Sequence, residues 1–418
     1  MLRPFQRVGA LLLSASLTLA SCGGGGSSSM AGGSGVGSGG TGSYTNGPIS
    51  GLGSIIVNNI RYTVADGSTT VIRDDDTRTG TSVSELKLGM VVEVTGSKAV
   101  AGSTGNPDTA SATQVRYGSA LIGPVSAVGT LVSGRPPSVT VLGQTVAINS
   151  KTVLPAAGLV VGHYVEVHGL INSSNVLTAT LIDDLGSTMP AFYKITGTVQ
   201  SLNTNLGTFL MGQSGNVSVS YAGGVSLPEG LVEGSVAKVW LDASAAFNLF
   251  GNVAAPATRI KLQATLASDS TEARLEGEIS KVNAGASQIR VNGVTVDTSR
   301  ATVSGSVTSV SALQEDQRVQ VTGAMSGGVL VATQITVLAQ GDVDSDEVEL
   351  HGQIAALDTS STTFVLREVV VNYGTAQVTG GTLSGAGATC VEAKGRGYNG
   401  LGQLIATEVE VQNCGQDD

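Results

Sequence analysis

Five times along this chain the pattern Gly-x-(Ile/Val)-x-x-(Val/Leu) returns, opening at Gly47, Gly123, Gly197, Gly277 and Gly352. The interval is about 75 residues, far longer than a solenoid coil and suited to one small module per repeat. A second landmark closes each copy, a small-Thr-x-aliphatic run at Ala112–Val115, Ala179–Ile182, Ala257–Ile260, Ala332–Ile335 and Ala406–Val409. Between them lies Leu-x-x-Gly-x-x-Val-x-Val-x-Gly, read at Leu86, Gly89, Val92, Val94 and Gly96, and again at Leu159, Gly162, Val165, Val167 and Gly169. The fourth copy keeps Leu313, Val319, Val321 and Gly323 but has Asp316 at the first glycine position. The third (Leu231, Gly234, Ala237, Val239) and the fifth (Val391, Ala393, Gly395) are looser.

Val92 and Val94 fall on one face of a strand, Glu93 and Thr95 on the other, the alternation of a half-buried sheet. In Ile289–Val296 the dipeptide Asn292-Gly293 suits a two-residue type I′ hairpin, with weaker counterparts at Val57–Ile60 and Val141–Gln144. After Gly47 no window sustains a helical period, and short Val/Ile/Thr runs alternate with Gly, Asn and Ser. The expected fold class is therefore all-β: five tandem small antiparallel β-barrel modules, OB-like, because closure removes exposed edges. A β-sandwich or a continuous solenoid is the rival. The expected modules span 47–120, 121–190, 191–268, 269–341 and 342–418.

Ahead of them, Arg3 and Arg7 precede an apolar run from Val8 to Ala20, too short to cross a hydrocarbon core of about 30 Å. Residues 1–21 read as an export signal. Leu19-Ala20-Ser21-Cys22 resembles the cleavage box of bacterial lipoproteins, an aliphatic residue, two small ones and a cysteine. That resemblance implies cleavage between Ser21 and Cys22 and lipid on the Cys22 thiol; Gly23 after it favours the outer membrane. An ordinary signal peptide with a chance cysteine is the alternative. Residues 22–46 are almost all Gly, Ser and Thr, so they are expected to be a disordered tether reaching roughly 25–30 Å.

The net charge of −10, with no block of Lys or Arg, disfavours nucleic acid and anionic headgroups as partners. Cys390 and Cys414 form an even pair suited to a disulfide in an oxidising compartment. Alternatively Cys390 is a buried core residue, since it stands where the first copy has Val91. The three histidines, His163, His168 and His351, read as surface residues, and the spacing of the first two defeats a joint metal site. No Gly-x-Ser-x-Gly elbow follows an apolar strand, and phosphate-binding glycine motifs would need a helix behind them. Catalytic, metal and cofactor sites are all expected to be absent.

Two acidic runs remain, Asp74-Asp75-Asp76 in a loop of the first copy and Asp342–Glu347 between the last two. The second begins like a calcium loop, but Glu347 stands where the turn glycine belongs and Gln353 where the bidentate glutamate belongs. A solvated linker fits it better. Trp240 opposes the Ala237, Val239 and Leu241 face, and partial cover by a neighbouring module fits it better than an exposed sugar platform.

Taken together, these motifs resemble the tandem modules of a bacterial family of unknown function, domain family 5666, found in lipoproteins. The likeness spans about Gly47 to Val411, strongest in copies one, two and four. It implies an extracytoplasmic β-rich protein and assigns no activity. The functional expectation is a lipid-anchored, non-enzymatic binding or scaffold protein of the cell envelope, a tethered string of barrels. It would face the periplasm or the surface, with the membrane as partner through its anchor and an envelope protein or glycan as target. A purely structural spacer is the alternative, and an oligonucleotide- or oligosaccharide-binding OB protein stands behind both.

Overall fold

A computed structural model describes residues 42–74, 79–245, 253–263, 269–338, 347–385 and 389–414. Ser21 and Cys22, Asp75 and Asp76, and 342–346 of the acidic linker lie outside the described residues. Within them the chain is all-β, interrupted by three-residue 3₁₀ turns.

In the first repeat Ser43–Leu52 pairs antiparallel with Ile55–Val57, which pairs with Ile60–Thr63. Ile60–Thr63 then runs parallel to the start of Asp108–Tyr117. That strand is antiparallel to Val91–Gly96, which returns to Ser43–Leu52 and closes a five-strand barrel. The second repeat closes in the same order through Leu121–Val128, Ser138–Val141, Gln144–Ala147, Leu177–Gly186 and Tyr164–Ile171. The fourth does so through Ser270–Asn283, Gln288–Val291, Val294–Asp297, Val329–Val337 and Arg318–Ser326. In the third and fifth repeats the opening strand is broken, into Phe192–Thr198 with Gln200–Asn203 and into Val348–Gln353 with Ala356–Asp358. Closure, not a solenoid, satisfies the strand edges.

The recurring motifs are the parts that lock each barrel. The amides of Ile49, Val125, Val199 and Ile279 donate to the carbonyls of Met90, His163, Ser235 and Gln317. In return the amides of Gly89, Gly162, Gly234 and Asp316 donate to the carbonyls of Ile49, Val125, Val199 and Ile279. These returning residues have φ of +81°, +90°, +84° and +68°, so glycine, or an aspartate that tolerates the left-handed region, is required there. The threonine of each closing run is the extra residue of a β-bulge, and the hydroxyls of Thr113, Thr258, Thr333 and Thr407 donate to the carbonyls of Thr95, Trp240, Thr322 and Lys394. Opposite the bulge a side chain on Gly96, Gly169, Gly323 or Gly395 would meet a backbone oxygen at 2.1–2.4 Å.

The opening glycine has a different role. The type I′ turn residue Asn58 crosses Gly47 to donate to the Asn46 carbonyl at 2.9 Å, and Asn292 crosses Gly277 to reach the Glu276 carbonyl at 2.5 Å. A Cβ on Gly277 would lie 2.4 Å from Asn292 Oδ1. Gly277→Ala is therefore expected to destabilise the protein by about 1–3 kcal/mol, the usual range for overpacking. Adding Asn292→Gly should recover part of that loss by removing the crossing amide. Urea denaturation of the two single variants and the double variant checks it; strict additivity would mean that the clash is not with Asn292.

The barrels share cores. One apolar cluster joins the first repeat (Ile49, Val94) to the fifth (Leu350, Phe364), and a second joins the second repeat to the third. Tyr44 of the first repeat packs into the core of the fourth. Strands also pair between barrels: Ser43–Asn46 with Glu272–Leu275, Gly51–Leu52 with Glu349–Leu350, and Leu121–Ile122 with Lys194–Ile195. The barrels thus interlock through shared cores and paired strands. Ser43–Asn46, assigned to the tether, is instead buried strand. Its side chains are polar, but strands on both sides pair its backbone.

Candidate functional site

Residues that point out of their own barrel are where neighbouring barrels meet. Alternation sends Lys194, Trp240 and Arg259 to the outer face of the third repeat, side by side across three paired strands. The Arg259 guanidinium lies 3.7 Å from the Trp240 ring centroid, with Lys194 Nζ at 4.9 Å and Lys261 Nζ at 5.7 Å, favourable cation–π positions. Trp240 is 2% exposed, so the cover is complete where partial cover was expected. Closing over this cationic patch is Asp74 from the first repeat, with Oδ2 at 2.6 Å from Lys238 Nζ and Oδ1 at 3.3 Å from Lys261 Nζ. Burial pushes the Asp74 carboxyl up, but Lys238, Lys194 and Lys261 outweigh it and hold the group well below the usual carboxylate range.

The histidines are corrected by the same geometry. His163 keeps some exposure and holds Asp184 at 2.9 Å, but His168 and His351 are buried, at 1% and 6% exposure. Both lie on outward faces covered by other barrels. His168 Nε2 lies 3.4 Å from Glu166 Oε1, and Glu166 also takes Arg73 of the first repeat at 2.8 Å. Burial raises the Glu166 carboxyl, while His168, Arg73 and Lys194 bring it down to about 2. His163 and His168 thus serve different carboxylates, in keeping with their spacing.

His351 stands between Glu349 at 2.7 Å and Glu392 at 3.6 Å, and ligand atoms of the three lie within 4.8 Å of one another. The sequence reading did not pick out this cluster, because Glu392 is far from the other two and reaches them only through strand pairing. Arg61 of the first repeat pairs closely with Glu349, and Lys394 holds Glu392 at 2.8 Å. Two cations already balance the two carboxylates, so a divalent ion would have to displace both. The arrangement is an ionic seam between the first and fifth repeats.

Cys390 and Cys414 are joined in a disulfide with Cα atoms 5.2 Å apart, closing a separation of 24 residues. Cys390 is also buried and faces Gln353 as Val91 faces Pro48, so it fills the Val91 position while being bonded.

Several cavities lie between barrels among the described residues, one of about 580 Å³ among the second, third and fourth repeats. A polar one of about 120 Å³ is bordered by Asn46, Glu93, Arg116, Thr196 and Lys238. Another, about 640 Å³, lies among the first, second and fifth repeats and falls within the size range of ligand clefts. Leu52, Ile55, Val83, Leu86, Val153 and Leu154 form its wall. Lys87, Asp183, Arg367 and Glu368 stand at its rim. No single repeat carries this combination, which is why no motif announces it.

Regions 46–104, 109–183 and 276–336 match the domain of unknown function DUF5666. Among curated proteins, none matches the chain. The DUF5666 matches fall on the first, second and fourth repeats, the ones whose opening strand runs unbroken into its hairpin. The third and fifth repeats keep the closing circuit but break that strand.

Proposed function

We propose that this chain is a lipid-anchored, non-enzymatic binding protein of the bacterial cell envelope, and that its ligand site is the apolar cleft among the first, second and fifth repeats. The observation that carries the binding reading is the cleft itself: about 640 Å³, walled by aliphatic side chains and rimmed by four charged ones. The anchor reading rests on Leu19-Ala20-Ser21-Cys22, which would fix the protein at the envelope, by its Gly23 at the outer membrane. Five modules of OB-like type is the reading of the fold that fits best. Each repeat follows one strand circuit, with a parallel pairing between its third and last strands. Oligonucleotide binding gains no support from the acidic charge. A scaffold role is favoured by one further observation, the interlocking of barrels through shared cores and the Asp74 seam.

An uncharged naphthylamine dye that brightens in apolar surroundings tests the cleft. The purified protein is expected to hold one dye per chain. Leu154→Arg, which puts a cation into the wall at a half-buried position, should abolish the signal without changing the far-ultraviolet circular dichroism. Equal brightening in the variant, or none in the natural protein, would remove the cleft as the site.

A further inference from the structure

The rim of the cleft carries charges of both signs in an unusual setting. Lys87 Nζ and Asp183 Oδ2 are 2.7 Å apart, and their side chains keep 43% and 36% exposure, so each can exchange its partner for a ligand. Facing them is the hairpin turn of the fifth repeat, Arg367-Glu368, with φ of +47° and +65°. The same two turn positions are Asn58-Asn59, Leu142-Gly143 and Asn292-Gly293 in the first, second and fourth repeats. Asparagine and glycine accept the left-handed region readily, whereas long charged side chains adopt it against their preference. Arg367 uses its Nε on the His351 carbonyl at 2.5 Å, the counterpart of the asparagine lock elsewhere. Glu368 takes no part in that lock. It stands exposed at the rim of an apolar cleft, with a strained backbone.

Resting on the cleft reading, we infer that the ligand is a single-chain amphiphile with a zwitterionic phosphoethanolamine-type head. Its acyl chain lies along the aliphatic wall, each buried methylene contributing as in any apolar transfer. Its phosphate meets Lys87, and its ammonium meets Glu368, with Asp183 as the second carboxylate. A purely anionic head would meet two rim carboxylates, and an uncharged head would leave the pairings unused.

Calorimetric titration of the full chain with three probes sharing one saturated acyl chain tests this: a lysophosphatidylethanolamine, the free fatty acid and the monoacylglycerol, each below its micelle concentration. The lysophosphatidylethanolamine is expected to bind one per chain and at least about tenfold tighter than the other two. Lys87→Gln with Glu368→Asn, the second an easier residue for that turn, should reduce its affinity to that of the monoacylglycerol. Leu154→Arg should remove all three. Equal affinities that ignore the rim variant but vanish in Leu154→Arg would overturn the headgroup inference and leave the cleft reading standing. Tightest binding of the fatty acid would also overturn it. Failure of all three probes in a protein that still holds the uncharged dye would show a cleft for other apolar ligands, and failure of the dye as well would remove both readings.

Discussion

Asp74→Ala is expected to lower the stability of the whole protein by about 3 kcal/mol at neutral pH, the low end of what removing one member of a buried ion pair costs. The carboxylate reaches two lysines of the third repeat, at 2.6 and 3.3 Å, and its backbone carbonyl accepts from Arg259 at 3.5 Å. Alanine would remove the carboxylate that contacts both lysines of that cationic face. The low end applies because Lys261 keeps 43% side-chain exposure and water can relieve it. Asp74→Ala combined with Lys238→Met should recover part of the loss, a coupling of about 0.5–3 kcal/mol between contacting residues. The contribution also has a pH signature. The folded carboxyl is held below its unfolded value of about 3.9, so its stabilisation is complete above that pH and is lost as pH falls through the folded value. Urea denaturation of the natural and variant proteins measures all of this. A loss below about 0.5 kcal/mol would place the pair with ordinary surface salt bridges. Because the first repeat shares its core with the fifth and its seam with the third, the loss should appear in one main transition.

Much of this was legible in the chain. The opening, middle and closing motifs are the locks of each barrel: a glycine crossed by a turn asparagine, a residue at positive φ, and a bulge threonine opposite a glycine. Local geometry imposes them, so local sequence reports them. What alternation could not report is which outward faces stay wet. Tyr44, Glu93, Lys194 and Trp240 point away from their own barrels, and a period of two assigns such positions to solvent. Their cover comes from repeats distant in sequence, and no periodic signal records that packing. His168 and His351 were misread for that reason, and so was Ser43–Asn46, whose polar side chains gave no hint of pairing on both sides. Asp74 read only as the first of three aspartates in a loop, because its cationic partners lie in the third repeat. The cleft escapes sequence reading altogether, since its wall and rim come from three repeats.

Glu278→Gln should do the opposite of Asp74→Ala and stabilise the protein at alkaline pH. Glu278 faces Arg318 across the sheet, but the Arg318 guanidinium is committed to Glu276, its Nε at 3.1 Å. Glu278 therefore keeps mainly the Thr178 hydroxyl, which donates to Oε1 at 3.1 Å, and has Asp316 as an unfavourable neighbour. Burial dominates and pushes the carboxyl up to about 7. An acid whose folded pKa is raised binds more protons in the folded state, so stability falls as pH rises from the unfolded value of about 4.3 to the folded one. Above that window the penalty is complete, on the order of 2–4 kcal/mol at 1.36 kcal/mol per unit. Glutamine carries no charge, and its carbonyl can still accept from Thr178. The variant is expected to gain most of that amount at pH 8 and almost nothing at pH 4, where both proteins are neutral at this position. Glu276→Gln gives the contrast, since it weakens a carboxylate that Arg318 holds with two donors and should destabilise at pH 8. Denaturant midpoints at the two pH values decide it. An equal increment at both would trace the gain to packing, and no gain at pH 8 would mean that Glu278 is ionised in the fold without penalty.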